Sequence, residues 1–276
     1  MAAAILPCMP PLRPHGVALR YPVGVRLEDW LMPEDTVPES VVHNEAALHL
    51  DLLLRAWIVR TGRAARVARN LAIRFLEAHP RVGIDPDVCL VEPVPEDFQT
   101  AGSLRLWQPG HQPPPLCIEV VSTHHPNKDY TTIQDRYAAL GAGEVVIFDP
   151  TLAGPRALGG PVHLQLWRRD PVGVLDRVAF GNDPVYSEVL DAWLVPQGPL
   201  VEIAHDRQAE RPWLTGEAHE RAEKERERAE KEHERAEKER ERAEKERERA
   251  EKERERAARL DLEERLAELE ARLIRH

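Results

Sequence analysis

Two acidic residues, Asp87 and Glu119, lie in short apolar segments and could together bind a metal ion. The segments, residues 85–91 and 116–121, are rich in β-branched residues and flanked by proline, which favours strands over helices. If the two strands pair with Asp87 near Glu119, two carboxylates meet at the rim of a buried sheet. Adjacent acids repel each other, and Mg²⁺ is commonly held by one or two carboxylates plus water. The pattern therefore predicts a Mg²⁺ or Mn²⁺ site, with the Val120 carbonyl as a third oxygen.

The same segments also allow a purely structural interpretation. Asp87 could end a turn after Pro86, and Glu119 could be solvated at a strand edge. Cys89 and Cys117 share the strand faces of the two acids, which suggests thiolate ligands, although small buried hydrophobes are the more common role. Spacing alone leaves these interpretations open.

The elements that must position the acids follow from hydrophobic periodicity. Apolar residues at a 3.6-residue spacing predict a helix over residues 41–60. Alternation predicts a half-buried strand over residues 66–75, and Pro80 and Gly83 predict a turn after it. A polar, proline-rich loop over residues 92–115 then opens between the two acids.

A second helix follows the Glu119 segment. Asn127 or Asp129 can cap it, and Tyr130, Ile133 and Tyr137 are expected on its buried side. The remaining predictions are strands over residues 144–148, 163–167 and 173–180 and a short helix over residues 186–195. This order predicts a mixed β-sheet flanked by helices, in the α/β or α+β class.

Several of these motifs occur in an order typical of one family. They are Pro86-Asp87, Glu119-Val120-Val121-Ser122, Asp129, Tyr137, Gly141 and Ile147-Phe148-Asp149-Pro150. Together they resemble the Uma2 family, restriction-endonuclease-like proteins of the PD-(D/E)xK nuclease superfamily. The resemblance extends to His43 and to Ser187-Glu188-Val189-Leu190, and it covers about residues 20–210.

The resemblance implies a restriction-endonuclease-like fold and a metal-dependent endonuclease that hydrolyses phosphodiester bonds of nucleic acid, with DNA the expected substrate. In that interpretation Asp87, Glu119 and Val120 bind Mg²⁺ or Mn²⁺. The residues expected to orient this metal site are His43, Asp129 and Tyr137.

The chain departs from the family pattern at one position. Ile133 stands where the family usually has a lysine, four residues after the helix aspartate. Lys128 could supply the missing amine and Gln134 could orient a water, although Lys128 could equally be a solvated residue at the helix start. The alternative function is therefore a catalytically degenerate nuclease fold that binds nucleic acid or acts as a protein scaffold.

The overall composition excludes some classes of protein. The formal net charge of −10 gives no global basic field for non-specific binding of nucleic acid or anionic membrane. No apolar stretch approaches the roughly 20 residues needed to cross a bilayer, and three cysteines without paired spacing indicate a reducing compartment. We therefore expect a cytoplasmic protein.

The chain divides into three predicted regions. Residues 1–24 are a proline-rich arm, residues 25–210 are the nuclease-like domain, and residues 217–276 are a charged helix with a seven-residue repeat. The repeat offers one small apolar residue per heptad, so it lacks a coiled-coil seam. Real seam residues occur only at its end, at Leu262, Leu266, Leu269 and Leu273. This short zipper predicts a weak homo-oligomer.

Overall fold

The computed structural model describes residues 31–32, 40–124, 126–131 and 133–273 of the 276-residue chain. The chain forms two compact units, Met1–Gly216 and Glu217–His276. The first contains mixed β-sheets with helices, and the second is part of one long helix. The predicted fold class is therefore confirmed. The predicted arm, residues 1–24, lies outside the described residues.

The helices and strands follow one another in this order. They are α1 (Val41–Thr61), β1 (Arg66–Ala68), β2 (Ala72–Leu76), β3 (His79–Ile84), β4 (Val88–Val91), β5 (Ser103–Arg105), β6 (Leu116–Val120), α2 (Pro126–Thr131), α3 (Ile133–Leu140), β7 (Glu144–Phe148), a 3₁₀ turn (Arg156–Leu158), β8 (Leu164–Arg169), β9 (Leu175–Gly181), β10 (Val185–Ser187), β11 (Ala192–Gln197), β12 (Leu200–Ala204) and α4 (Gly216–Leu273).

The central sheet has six strands in the order β1-β4-β6-β7-β8-β9. β4 and β6 are antiparallel with Val88 opposite Ile118, and β6 and β7 are parallel. Asp87 directly precedes β4, so this register places it opposite Glu119. The pairing on which the acid site depends is therefore present.

Both faces of this sheet are buried. Val88, Leu90 and Ile118 pack in one core together with α1, while Cys89 and Cys117 pack in a second core that includes residues of α3. As predicted, Val88, Leu90 and Ile118 lie on one face of the sheet, and Cys89 and Cys117 lie on the opposite face. However, each face contributes to a core, because helices cover the sheet on both sides.

α1 confirms the first predicted helix and has a defined start and end. The Ser40 side chain accepts a hydrogen bond from the His43 N–H at 3.2 Å, which satisfies one of the unpaired donors of the first turn. Gly62 ends the helix at a φ of 64°, a conformation that glycine adopts without strain. These caps hold His43 in the first turn of α1.

The single strand predicted over residues 66–75 is wrong. The chain forms β1 and β2 in different sheets, because Asn70 adopts a φ of 48° between them and interrupts the extended backbone. Pro80 and Gly83 lie within β3 and do not form the predicted turn. β3 is an edge strand, where proline is tolerated. A Cβ at Gly83 would lie 2.3 Å from the Ile73 carbonyl oxygen, so this close pairing requires glycine.

The helix predicted over residues 186–195 is also wrong. β10 and β11 form an antiparallel hairpin here, with Tyr186 opposite Trp193, and Asp191 supplies a φ of 51° in the turn. Ala192 and Leu194 enter the core at every second position, which is the period of a strand. β12, which was not predicted, completes this three-stranded sheet.

The segment after β12 closes the core over α1. Trp213 is buried, and its ring stacks on Trp57 of α1 with a centroid distance of 5.4 Å. The backbone N–H of Trp213 donates to the Ile203 carbonyl at 2.6 Å, and the Arg60 side chain donates to the Leu214 carbonyl at 2.7 Å. Residues 213–214 are therefore part of the globular unit.

α4 contains 58 residues and, at about 1.5 Å per residue, extends for about 87 Å. Glutamates pair with lysines one turn later, as in Glu227–Lys231 at 2.6 Å, and such exposed pairs each add a few tenths of a kcal/mol of helix stability. Leu262 is exposed. The side chains of Leu266, Leu269 and Leu273 lie outside the described part, so the zipper remains a prediction.

Within the described part of the chain, no helix is both long enough and apolar enough to span a bilayer.

Glu144 of β7 is the centre of a buried ionic network. Its carboxylate receives hydrogen bonds from Arg168 at 2.8 Å, from the Ser187 hydroxyl at 2.5 Å and from the Glu188 N–H at 2.9 Å. Arg168 also pairs with Glu188 at 2.8 Å. The Ser187-Glu188 motif thus joins β10 to the central sheet.

We expect Arg168→Met to lower the free energy of unfolding by about 3 kcal/mol, because it leaves the Glu144 carboxylate buried without its cation. Urea unfolding measures the change, and Arg156→Met on the exposed 3₁₀ turn is the matched control. Adding Glu144→Gln to Arg168→Met should recover most of the loss. If Arg168→Met and Arg156→Met lower the free energy of unfolding by the same amount, this role of Arg168 is contradicted.

Candidate functional site

Asp87 connects three elements of the fold. Its Oδ2 accepts a hydrogen bond from the Val120 N–H at 2.6 Å and lies 3.2 Å from Nε2 of His43. His43 is almost fully buried in the first turn of α1. The carboxylate therefore joins α1 to the end of β6, and His43 and the Val120 N–H orient it.

Glu119 is buried on the face of β6 that contacts α3. The Tyr137 hydroxyl donates a short hydrogen bond to its Oε1. Burial, followed by the nearby Asp87 carboxylate, raises the pKa of Glu119 well above its usual value, although Lys128 opposes the shift. The ionised form of Glu119 therefore requires a compensating cation.

Asp129 of α2 is fully buried, and neither of its carboxylate oxygens has a hydrogen-bond partner among the described residues. Burial raises its pKa to about 7, and the charges of Lys128 and Asp87 act in opposite directions. The Ser122 backbone also favours the ionised form, but it does not complete a hydrogen bond to either oxygen. Asp129 thus adds a third acid that lacks its usual solvation.

Lys128 is the amine of this cluster. Its Nζ lies 3.9 Å from Oδ1 of Asp129, and its side chain is about half exposed. Partial burial lowers its pKa, but the negative charges of Glu119, Asp129, Asp87 and Asp85 outweigh this effect and raise the pKa overall. The ammonium group therefore stays charged in the field of four carboxylates.

The other two residues discussed for this role differ from Lys128. The Gln134 side-chain amide donates to the Asp129 backbone carbonyl at 3.0 Å, so it bridges the junction between α2 and α3. Ile133 is the first residue of α3. Its side chain is not described, so its expected core packing remains a prediction.

Sequence reasoning did not include Asp85 in the site. Asp85 is exposed at the surface, but partial desolvation by its neighbours raises the pKa of its carboxyl group, with Lys128 opposing the shift and Asp87 adding to it. The signal was present, because Asp85 lies only two residues before Asp87. The strand pattern over residues 85–91 includes Asp85 only as its first residue.

Tyr130 was expected on the buried side of the helix, but its specific contacts were not predicted. Its hydroxyl donates to Oδ2 of Asp149 and lies 3.2 Å from the Val162 carbonyl oxygen. A Cβ at Gly154 would lie 2.3 Å from the Tyr130 ring, and one at Gly160 would lie 2.9 Å from it. The two glycines therefore leave a slot that fixes Tyr130, and with it Lys128 and Asp129 on the same short helix.

The cysteines do not support a thiolate site. Cys89 and Cys117 are free and buried. Burial raises the pKa of Cys89 to about 12 and that of Cys117 well above its usual value. Both residues therefore remain neutral thiols that contribute to the core.

The donor set partly fits a hard divalent cation. In the described ranges, no three histidine, cysteine, aspartate or glutamate residues are grouped closely enough to bind a metal by themselves. However, Mg²⁺ commonly takes only one or two carboxylates from the protein and the remaining oxygens from water and phosphate. Asp87 and Glu119 can provide those two, and the carboxylate of Asp129, whose oxygens accept no hydrogen bond among the described residues, interacts electrostatically with Asp87.

A comparison with known families finds a match to part of the chain. Residues 30–157 match the profile of the Uma2 family, which is described as "Putative restriction endonuclease". The resemblance to Uma2 is confirmed for this segment. All of the acids described above lie within it.

A solved structure is also similar to the chain. It is described as "a putative nuclease belonging to DUF820 from Anabaena variabilis", with 14% sequence identity and a TM-score of 0.39. The match covers 57% of this chain and 78% of that chain. No curated protein gives a significant match.

The raised pKa of Asp129 predicts how stability changes with pH in the absence of divalent metal. An aspartate in the unfolded chain titrates near 3.8, whereas the folded group titrates near 7. The folded state therefore binds more protons between these values, and the free energy of unfolding should fall by about 3 kcal/mol as the pH rises from 5 to 8.

Asp129→Asn should remove the part of this dependence that Asp129 contributes, leave the part that Glu119 contributes, and make the protein more stable than wild type at pH 8. Urea unfolding at pH 5 and pH 8 in EDTA measures it, with Asp183→Asn at an exposed position as the control. An unchanged difference between the two pH values in Asp129→Asn would contradict the assignment.

Proposed function

We propose that this protein is a metal-dependent endonuclease that hydrolyses phosphodiester bonds of nucleic acid, with DNA the expected substrate. The Uma2 match supports a nuclease, and the opposed carboxylates of Asp87 and Glu119 support the use of Mg²⁺ or Mn²⁺. The observation that carries the proposal is the position of the Lys128 amine, whose Nζ lies 3.9 Å from Oδ1 of Asp129 and whose charge interacts with Asp87 and Glu119. This amine compensates for Ile133 at the family's lysine position.

The proposed roles follow from the contacts. Asp87 and Glu119, with the Val120 carbonyl, would hold the ion, which when bound polarises the phosphate and activates a water. His43 and the Val120 N–H fix the direction of the Asp87 carboxylate, and Tyr137 fixes that of Glu119. These partners hold the two acids in place before substrate arrives.

Lys128 acts by charge in this proposal. Because its pKa is raised, the side chain remains an ammonium ion at neutral pH and cannot accept the proton of the attacking water. It can instead stabilise the negative charge that develops on the phosphate oxygens as the bond to the leaving oxygen breaks. Asp129 and the anchored Tyr130 position it.

A second candidate function is a binding or scaffolding module without cleavage. It is favoured by Ile133, by the formal net charge of −10, and by the long charged helix α4. In this case the acid cluster would be a remnant that binds metal weakly or not at all. The two experiments below separate the candidates.

Metal binding should appear as thermal stabilisation. We expect Mn²⁺ to raise the melting temperature, since a ligand at 100 times its Kd stabilises the folded state by about 2.7 kcal/mol. Asp87→Asn and Glu119→Gln should each abolish the rise, whereas Asp176→Asn on the exposed part of β9 should retain it. Equal stabilisation of the Asp87→Asn/Glu119→Gln double variant would exclude the proposed site.

Cleavage should depend on Lys128 without a corresponding effect on metal binding. With Mg²⁺ or Mn²⁺ and single-stranded, duplex and supercoiled DNA, Lys128→Met should reduce kcat by about 100- to 1,000-fold and leave the Mn²⁺-dependent melting shift unchanged. Adding Ile133→Lys should restore activity, and Lys231→Met in α4 is the matched control. If Lys128→Met cleaves like wild type and Ile133→Lys has no effect, this role of Lys128 is excluded. If the wild type does not cleave any of these substrates, the scaffold function is favoured.

A further inference from the structure

α1 has apolar residues on two opposite sides. Its inner side contains buried residues such as Leu50, Leu53 and Leu54, which pack against the central sheet. Its outer side exposes Val41 by 72%, Leu48 by 41%, Leu52 by 44% and Val59 by 81%. A surface helix normally has only one apolar stripe, so the outer one requires an explanation.

The four outer residues form a single narrow line, here called the outer stripe. Successive residues of an α-helix turn by about 100°, so Val41, Leu48, Leu52 and Val59 fall within an arc of about 40°. Isolated exposed apolar residues are common on protein surfaces. A straight line of four along five turns of one helix is the pattern of a helix–helix contact.

The outer stripe is also palindromic. Val41 and Val59 are equally distant from position 50, and so are Leu48 and Leu52. When two such helices pair antiparallel around a two-fold axis at the level of Leu50, each valine lies opposite a valine and each leucine opposite a leucine. In a two-fold contact residue i of one copy meets residue j of the other and j meets i, so this pairing places side chains of equal size opposite one another at all four positions.

Charges beside the stripe obey the same symmetry. Glu45 and Arg55 are exposed and also lie equally far from position 50, one on each flank. Antiparallel pairing places both copies of Glu45 on one flank of the seam and both copies of Arg55, each paired with Asp51 of its own helix, on the other flank. The two copies of Glu45 are separated by ten residues, or about 15 Å along the helix.

We propose that the outer stripe binds the same stripe of a second copy of this chain, forming an antiparallel α1–α1 contact. Four residues per copy bury less than the roughly 800 Å² per partner of a typical stable interface. The contact is therefore weak by itself and depends on protein concentration. This proposal is independent of the nuclease function and of the predicted zipper in α4.

Site-directed cross-linking of the full-length chain tests the contact. All variants carry Cys8→Ser, because Cys89 and Cys117 are buried and Cys8 is the remaining native thiol. A variant with both Val41→Cys and Val59→Cys should give a covalent dimer with a short bis-maleimide. Variants with only one of the two changes should give little, because antiparallel pairing places position 41 opposite position 59.

A second set of variants tests the stripe by charge. Leu48→Glu with Leu52→Glu would place like charges in the centre of the seam and should weaken association by at least about a hundredfold in sedimentation equilibrium. Val172→Glu with Val178→Glu, at two other exposed apolar positions, is the matched control. Circular dichroism and melting temperature check that each variant is folded.

Three results would overturn the proposal. The first is cross-linking of the double-cysteine variant no greater than that of the single variants. The second is unchanged association of the folded Leu48→Glu/Leu52→Glu variant, which would assign self-association to α4. The third is a monomer whose thiols at positions 41 and 59 react slowly, which would indicate that another segment of the same chain covers the stripe.

Discussion

Electrostatic repulsion among buried carboxylates is the constraint on which the site depends. The Asp87 carboxylate raises the pKa of both Glu119 and Asp129, Asp129 raises that of Glu119, and burial of Glu119 and Asp129 removes most of the water that would screen these charges. The fold must therefore bring a positive charge to this place, or the acids must take up protons. Lys128 provides one such charge, and a divalent cation would provide more.

The surrounding elements hold the acids in this unfavourable arrangement. Asp87 is held by α1 and β6, and Glu119 by the Tyr137 hydroxyl on α3. α2 is too short to be stable alone, and the Tyr130 slot fixes it to the loop after β7. The large hydrophobic cores on both faces of the sheet stabilise the fold, so the strained site can persist within it.

Sequence reasoning was most successful where the hydrophobic pattern was strong and local. The strands that contain Glu119 and follow Asp87 were found in this way, because β-branched runs bounded by proline have few alternatives. It failed at Asn70, where a single left-handed residue splits one strand into two sheets, since alternation continues across the break. It also failed at residues 186–195, where a short segment fits both helical and strand periods and only the pairing with β12 decides.

The site itself was only partly predictable for a related reason. The acids were recognised from their types and positions, but Lys128 was one of two candidate residues. Its position relative to the acids depends on the angle between α2 and the sheet, which is set by Tyr130 and two distant glycines. No spacing rule reports such an angle. The electrostatic effect of Asp85 on Lys128 was not predictable either, because it depends on the fold of the segment before β4.

The stacking of Trp213 on Trp57 has a consequence for the order in which the chain folds during synthesis. The inner side of α1 belongs to the same core as Val185, Leu194, Ile203 and Trp213, which are synthesised more than 120 residues after it. Until these residues leave the ribosome, α1 can contact only the earlier strands, and much of its apolar surface remains exposed to water. Because such distant contacts form slowly, the globular unit is complete only when the segment just before α4 has emerged. During this interval the exposed apolar surface of α1 can aggregate with other chains. The highly charged helix α4 is synthesised directly after the globular unit is complete.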